Sequence, residues 1–319
     1  MRDILLVSNM SDDSVSIVDS ESFAEIKRIH LKSAHEKYGN INMPFKKPLI
    51  GPHSLKVHKD KRCVYCVNCF DDSISVINMD DFTLTDSFFA GNHPNDMVFG
   101  KDGAYIYVTN ADSDSVCIID SNTKKIAAQI TVGAMPHGLC ISPDGGYVYS
   151  ADMGSDSISV METETNSKVL CVKTGKCPMD IIPSLDGHFL YVLNSYMGFD
   201  KNGTVSVIST KNFNVIKSIG VGKMPVQFTA LYDEQTLYVS NMLSCDIYKI
   251  DLNRFEVNKI LKLEKSIRGI TVGEDDTIYV TNIDEGSISA IDADTGKIKC
   301  SLKVGREPAS IVYIGDANV

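Results

Sequence analysis

Apolar and polar residues alternate with a period of two in short stretches along the whole chain, and turns rich in Asp, Ser, Asn or Gly close each stretch. Tyr105–Asp120, YIYVTNADSDSVCIID, shows the unit: an apolar run, a polar turn, then alternating Ser, Val, Cys and Ile. This alternation, with its strong β-branched content, predicts strands throughout. No apolar run approaches the roughly 18 residues of a spanning helix.

The same unit returns seven times. Its other copies begin at Leu5, Val64, Val148, Leu190, Leu237 and Ile278. A second marker precedes most copies at a fixed distance. Pro52, Pro94, Pro136, Pro178 and Pro225 stand sixteen residues before Asn68, Asn110, Asp152, Asn194 and Asn241. Ile267 takes the Pro position before Asn282, with one residue deleted, and Pro308 opens a last unit that stops at the C-terminus. The chain is circularly offset, starting in the middle of that last unit.

Each unit reads as four short strands. The first follows the Pro, as in His137–Ser142. A Pro-Asp-Gly-Gly turn at 143–146 leads into the second, Tyr147–Ser150. The third is the alternating Ser-Val-Ser-Ile-Val type, and the fourth is the Lys125–Ile130 type. Four strands in about 42 residues mark a propeller blade, and seven copies predict an all-β, seven-bladed propeller of four-stranded antiparallel blades in a single domain, 1–319. The blades fall at 52–90, 94–133, 136–174, 178–221, 225–263, 267–304, and 308–319 with 1–31. They are numbered one to seven in that order. Pairing of Pro308–Ile314 with Ile4–Ser8 would close the ring and remove the open seam.

These residues resemble the YVTN-repeat β-propeller family. Tyr107-Val108-Thr109-Asn110 and Tyr279-Val280-Thr281-Asn282 carry the literal motif, with looser versions in the other five units. The resemblance covers nearly all of the chain and implies the fold. It spans several functions: surface proteins, binding scaffolds and, in distant seven-bladed propellers, lyases, lactonases and metal-centred reductases.

The topology places the loops around each Pro and after each Asn on one face, called the top. The residues after each Pro are His53, Asn95, His137, Met179, Val226, Arg268 and Ala309. Those after them are Ser54, Asp96, Gly138, Asp180, Gln227, Gly269 and Ser310. A purely structural repeat would show one residue type at each position, and this set is chemically mixed. Two insertions belong to the same face: 32–51 between blades seven and one, and Ser195–Gly203 in blade four, which carries Tyr196. Long loops on a repeat scaffold commonly carry binding.

His53 and His137 hold equivalent positions two blades apart, and His93 precedes Pro94 on the blade between them. Three converging imidazoles would suit a metal or supply acid and base near neutral pH. Met10, Cys69, Met153 and Met242 follow motif Asn or Asp residues, and Met135, Cys177, Met179 and Met224 flank the Pro positions. That much sulfur suits either a soft-metal site or an adaptable apolar pocket, the pocket being the simpler reading. Arg268, the only cation in the set, would clamp a carboxylate or phosphate, or pair with Asp96, Asp180 or Glu307. In Cys63-x-x-Cys66-x-x-Cys69, strand alternation turns Cys66 away from the other two, so these read as core thiols rather than a chelate. The motif Asn residues are expected to bond turn backbone.

Charge and composition narrow the partners. With 41 acidic and 31 basic residues the net charge is −10, unlike a nucleic-acid binder or a polybasic membrane-surface protein. Apolar residues, at 43%, suffice for a packed core, which excludes intrinsic disorder. Nine Cys in mostly strand-like segments, and an N-terminal apolar patch of only four residues, point to a reducing cytoplasm rather than export. No nucleotide-binding or hydrolase signature is present. The expected function is binding of a small molecule or peptide at the top face. Asn95, Asp96, Met179, Asp180, Gln227, Tyr196, Met10, Met153 and Met242 would contact the ligand. The alternative is a lyase or hydrolase at the same place, with His53, His137 and Arg268 catalytic. No cofactor is evident. A divalent or soft transition metal on His53, His93 and His137 is the candidate.

Overall fold

The computed structural model describes residues 3–34, 50–58, 60–230 and 235–315. Most of the 32–51 insertion, residues 35–49, lies outside the described residues. The chain folds as a seven-bladed β-propeller of seven four-stranded antiparallel sheets. The blades fall into two compact units, Met1–Pro94 with Lys265–Val319, and Asn95–Glu264.

The first unit holds blades seven, one and six. Blade seven is built from both chain ends: β28 (Pro308–Ile314) pairs with β1 (Ile4–Asn9), followed by β2 (Ser14–Asp19) and β3 (Ala24–His30). Blade one runs from β4 (Pro52–His58) through β5 (Cys63–Asn68) and β6 (Ser73–Asn78) to β7 (Leu84–Phe89). Blade six runs from β24 (Ile267–Val272) through β25 (Thr277–Asn282) and β26 (Ser287–Asp292) to β27 (Ile298–Lys303). The second unit holds blades two to five, whose innermost strands are β8 (Pro94–Phe99), β12 (Pro136–Ile141), β16 (Pro178–Pro183) and β20 (Pro225–Ala230).

Period-two alternation in a strand normally separates a buried face from a wet one. Here most positions on both faces of the inner three strands are buried, because blades within a unit pack face to face. On β1, Ile4 and Leu6 join a core with Val64, Cys66 and Ile77 of blade one. Leu5 and Val7 join another with Ile288, Ala290 and Tyr313. Among the described residues the fourth strands are the ones that face water along their length, as in Ser167–Lys173 of blade three. The alternating serines of the third strands are therefore buried as well.

Those serines hold the motif Asn in several blades, while Asn110 bonds the Val108 carbonyl and Asn241 the Asp246 carbonyl, so the expected bonding to backbone is met in some blades and replaced by hydroxyls in others. Asn9 Nδ2 donates to Ser14 Oγ at 3.1 Å and Ser16 Oγ at 2.9 Å. Asn68 does the same to Ser73 and Ser75, and Asn282 to Ser287 and Ser289. Asn194 uses Thr204 Oγ1 and Ser206 Oγ. A buried amide thus finds its partners in hydroxyls on the adjacent strand. Asn9 Oδ1 in turn accepts from Gly305 N at 3.1 Å, and a Cβ on Gly305 would lie 2.5 Å from Asn9 Cγ. Close approach, not backbone freedom, requires Gly there.

The Asp of the second turn position has its own task. Asp13, Asp72, Asp114 and Asp156 adopt left-handed φ near 50° and cap the linker into the next blade. Asp72 Oδ1 accepts from His93 N, Asp114 Oδ1 from Met135 N, Asp156 Oδ1 from Cys177 N, and Asp13 Oδ1 from Ile50 N and Gly51 N. The residue before each Pro is left-handed too, His93, Met135, Cys177, Met224 and Glu307 among them.

Candidate functional site

Six of the innermost strands begin with a distortion that the sixteen-residue spacing conceals. Pro52 pairs with Asn68, Pro136 with Asp152, Pro178 with Asn194, Pro225 with Asn241, Ile267 with Asn282 and Pro308 with Asn9. Directly after this pair the register slips by one residue in all six blades. His53, His137, Met179, Val226, Arg268 and Ala309 sit in those bulges. A bulge leaves a residue out of the ladder and re-aims its side chain, which is why bulges recur beside functional sites.

A hydroxyl holds the bulges in register between blades. Ser8 Oγ donates to the His53 carbonyl at 2.8 Å and accepts from Ser310 N at 2.9 Å. Thr109 Oγ1 donates to the His137 carbonyl at 2.7 Å and accepts from Asp96 N at 3.0 Å. Both hydroxyls occupy the Thr position of the YVTN motif, so the motif ties one blade's bulge to the next.

In the first unit Arg268 meets His53 and Met10. Arg268, on β24, reaches His53, on β4, with Nη2 2.6 Å from Nε2. Ala309 holds the equivalent position on β28, the innermost strand of the blade between them. Arg268 Nη1 points at Met10 Sδ, 3.9 Å away. A guanidinium only donates, so His53 Nε2 carries its lone pair and the ring is the neutral Nδ1–H tautomer. Burial holds the Arg268 pKa below its ordinary value, with Cys69 and the exposed Glu307 opposing. Burial also pushes the Cys69 thiol up to about 11, with Arg268 pulling it down. Cys69 lies past the end of β5, beside Gly51, whose carbonyl accepts from its thiol. Cys66 belongs to the core, as expected. Glu307 is held by a hydrogen bond from Ser11 Oγ.

In the second unit His137 and several polar residues near the starts of the inner strands bond backbone. His137 Nδ1 lies 2.8 Å from the Met179 carbonyl. Asp96 Oδ2 accepts from Leu139 N at 3.2 Å, and Asp180 Oδ2 from Phe228 N at 3.5 Å. Asn95 Nδ2 donates to the Pro136 carbonyl, and the Gln227 carbonyl accepts from Ser240 Oγ. A Cβ on Gly138 would lie 2.7 Å from the Asp180 backbone. Met153 and Met242 continue the inner hairpins, their N–H groups bonded to the carbonyls of Met135 and Met224. Tyr196 packs edge-on against Phe199 inside the blade-four insertion, which Lys223 ties down through Asp200 at 2.9 Å.

The metal reading meets a different arrangement. Among the described residues no three His, Cys, Asp or Glu side chains are grouped as a metal ion would need. His53 faces Arg268, His93 packs edge-on against Phe70 at 6.1 Å, and His137 faces a carbonyl. The sequence drew attention to Arg268, His53 and Met10 singly. Their meeting depends on the bulges that hold His53 and Arg268.

Fold and site together define a β-propeller whose repeated inner strands carry individually varied side chains at their bulges. A family model described as a YNCE-like β-propeller matches residues 45–146 and 139–318. The chain belongs to the YNCE-like β-propeller family. No curated protein matches it by sequence. Among solved structures it is similar to Kuenenia stuttgartiensis hydrazine synthase, with a TM-score of 0.77 and 19% identity over 88% of this chain and 100% of that one. It is also similar to the dihydro-heme d1 dehydrogenase NirN in complex with DHE, with a TM-score of 0.69 and 16% identity over 97% of this chain and 74% of that one. A functionally unknown protein from Desulfotomaculum acetoxidans DSM 771 gives 0.65 and 14% over 81% of each chain. At these identities the likeness is one of fold. No helix among the described residues is long and apolar enough to cross a membrane.

Proposed function

We propose that this chain is a ligand-binding propeller that takes a small molecule at the tops of the inner strands of blades six, seven and one. The observation that carries the reading is the contact of Arg268 with His53 at bulge positions. Two side chains of strongly polar character are aimed at one another there, whereas Asn95 and His137 at equivalent positions bond backbone carbonyls. Burying a guanidinium is costly, and this one lies against an imidazole and a thioether at the strand ends. Preorganised polar groups with an adjacent apolar surface are what a ligand site requires. NirN, described in complex with DHE, is a precedent for an organic ligand on a chain of this fold.

The test is a thermal-shift screen of the full chain against a fragment library of carboxylates, amines and neutral heterocycles. Hits are repeated on Arg268→Gln and His53→Gln. Stabilisation of the parent protein that both variants lose is the expected result. Hits that both variants retain would place binding elsewhere and overturn the assignment.

A further inference from the structure

We infer a second binding site, for a linear di- or polyamine, in the cleft between blades six and seven at the strand ends opposite the bulges. It is separate from the site proposed above, and neither depends on the other.

The cleft has a volume of about 590 Å³ and lies wholly within the first unit. One wall is the turn after β24, with Glu274 and Asp275. The other is the turn after β2, with Glu21, and the chain entering β1, with Asp3. The floor is aromatic. Tyr279 and Tyr313 are both buried, and their rings stack at 6.0 Å with 7° between planes. Five carboxyl groups line this space, Asp19 being the fifth, and its described lining includes no Lys, Arg or His.

Several of these carboxyl groups also serve the protein. Asp3 accepts from the Tyr313 hydroxyl, Asp19 from Ser22 N and Oγ, and Asp275 from Thr277 N and Oγ1. Those donors are neutral and leave the negative charge in place. Lys299 is the cation beside Asp275, 3.9 Å away, and it donates to Thr277 Oγ1 at 2.7 Å. The phenols stay uncharged. Burial, with Asp275, Cys300 and Asp3, pushes Tyr279 up to about 12, and burial with Asp3 pushes Tyr313 up as well. An acidic rim over an uncharged aromatic floor suits a cation that carries apolar atoms.

The repeat shows which of these acids the fold requires. The same cleft recurs between blades four and five and between blades three and four, within the second unit. Asp186 and Asp144 stand there in the place of Asp275, each accepting from a backbone N–H two residues on, so that acid belongs to the turn. Glu274, in contrast, is matched by Leu185 and Pro143, and Glu21 by Asn253 and Lys211. Tyr313 is matched by Ala230 in blade five, from the pairing of each with Leu5 and Leu237. Neither rim glutamate nor the second ring is needed to build the cleft. Together they give this copy its acidic and aromatic character.

The spread of the charges selects among cations. Among the described residues no three of these acids stand close enough together to hold a metal ion. The walls instead set Glu274 and Asp275 on one side and Glu21 and Asp3 on the other. A linear polyamine places its ammonium groups several bonds apart and can serve both walls at once. Its methylenes then lie over the tyrosines, as the stems of long cationic side chains lie over apolar surface.

The experiment is isothermal titration of the full chain with spermidine and putrescine. Butylamine, tetramethylammonium and magnesium chloride form three further arms. Spermidine should bind one to one, and butylamine at least about tenfold more weakly, because it meets one wall only. The variant Glu274→Leu with Glu21→Asn installs the residues of blades four and five, and should weaken spermidine by about tenfold. A charge-matched control, Glu164→Gln with Glu256→Gln on other blades, should change it by less than about twofold. Thermal unfolding establishes that each variant is folded. Carbodiimide coupling of putrescine to the parent protein, mapped by mass spectrometry, gives a readout without variants and should label Glu21 and Glu274 ahead of Glu164 and Glu256.

If the control weakens spermidine as much as the rim variant, or labelling is even over the surface, the chain attracts polyamines by net charge and the site falls. If butylamine or tetramethylammonium matches spermidine, the two-wall argument is wrong. If magnesium displaces spermidine at equal concentration, the class is a metal ion. Absence of spermidine binding to the parent protein overturns the inference and leaves the Arg268 reading untouched.

Discussion

Arg268 Nη2 lies 2.6 Å from His53 Nε2, so a permanently charged group donates to an imidazole that has to be neutral. His137 holds the same place in its blade as His53 in blade one, yet its Nδ1 faces the Met179 carbonyl. One repeat position therefore makes two kinds of contact, with a backbone carbonyl in one blade and with a guanidinium in another.

That difference has a consequence for stability. Burial holds the Arg268 pKa below its ordinary value, which means the folded protein bears a desolvation cost for the charge. Replacing a buried charge by an apolar side chain of similar size is often neutral or stabilising. Arg268→Met should leave the thermal midpoint of the ligand-free protein unchanged or raise it, as followed by circular dichroism. A drop of many degrees would mean that the guanidinium holds blades together.

Thr109 should behave in the opposite way. Its hydroxyl serves both the His137 carbonyl and Asp96 N, within a buried strand end. Thr109→Val keeps the shape and leaves those backbone groups unserved, at a cost of about 1–3 kcal/mol. Urea unfolding measures it. Thr109→Ser, which retains the oxygen, should recover most of the loss.

Asp152 stands where other blades carry Asn. Its carboxylate accepts from Ser150 Oγ at 2.7 Å and Ser159 Oγ at 2.6 Å, and it cannot donate as Asn does. Ser157 Oγ, the counterpart of Ser14 and Ser73, is buried without a partner. Asp152→Asn should supply that donor and stabilise the protein by about 1 kcal/mol at neutral pH.

The same substitution carries a pH signature. Burial raises the Asp152 pKa, against the pull of Ser159, Ser150 and Gly133 N–H. A carboxyl with a raised folded pKa contributes stability below its unfolded value and loses it as pH rises through the folded one. The advantage of Asp152→Asn should therefore grow as pH rises through that interval and shrink on acidification. Midpoints of the two proteins across the acid range decide it, and a pH-independent difference would contradict the assignment.

Deleting residues 308–319 removes β28, whose pairing with β1 supplies the innermost strand of blade seven. Buried residues on β1 and β25, among them Leu5 and Tyr279, would lose Ile311 and Tyr313 as packing partners. The shortened chain should lose the cooperative unfolding transition of the parent. A soluble product with an unchanged midpoint would show that closure contributes little.

Much of this architecture was readable before any coordinates. The fixed distance from Pro to motif Asn is long enough for a strand, a turn and a strand, so both markers fall at the same end of a hairpin, as Pro136 and Asp152 do. The repeat count, the four strands per blade and the pairing of Pro308–Ile314 with Ile4–Asn9 follow from local pattern and offset alone. Arg268 and His53 also stood out, because a mixed set of residues at one repeat position departs from what packing requires.

Their contact did not stand out. Bulges leave no trace in hydrophobic periodicity, since one extra residue after Pro52 or Ile267 changes neither the spacing of the motifs nor the apolar pattern. The bulge nonetheless decides where His53 and Arg268 point. Partners between blades, such as Ser8 with His53, are separated by 45 residues and are matched by packing. The buried serines misled for a related reason: alternation tells which side chains share a face, but not whether water or another blade covers it. Sequence by itself determined the strands, their order and the residues of unusual chemistry, because these depend on local period and repeat. Tertiary structure alone decided which of those residues meet, because that depends on register slips and blade contacts that no local pattern encodes.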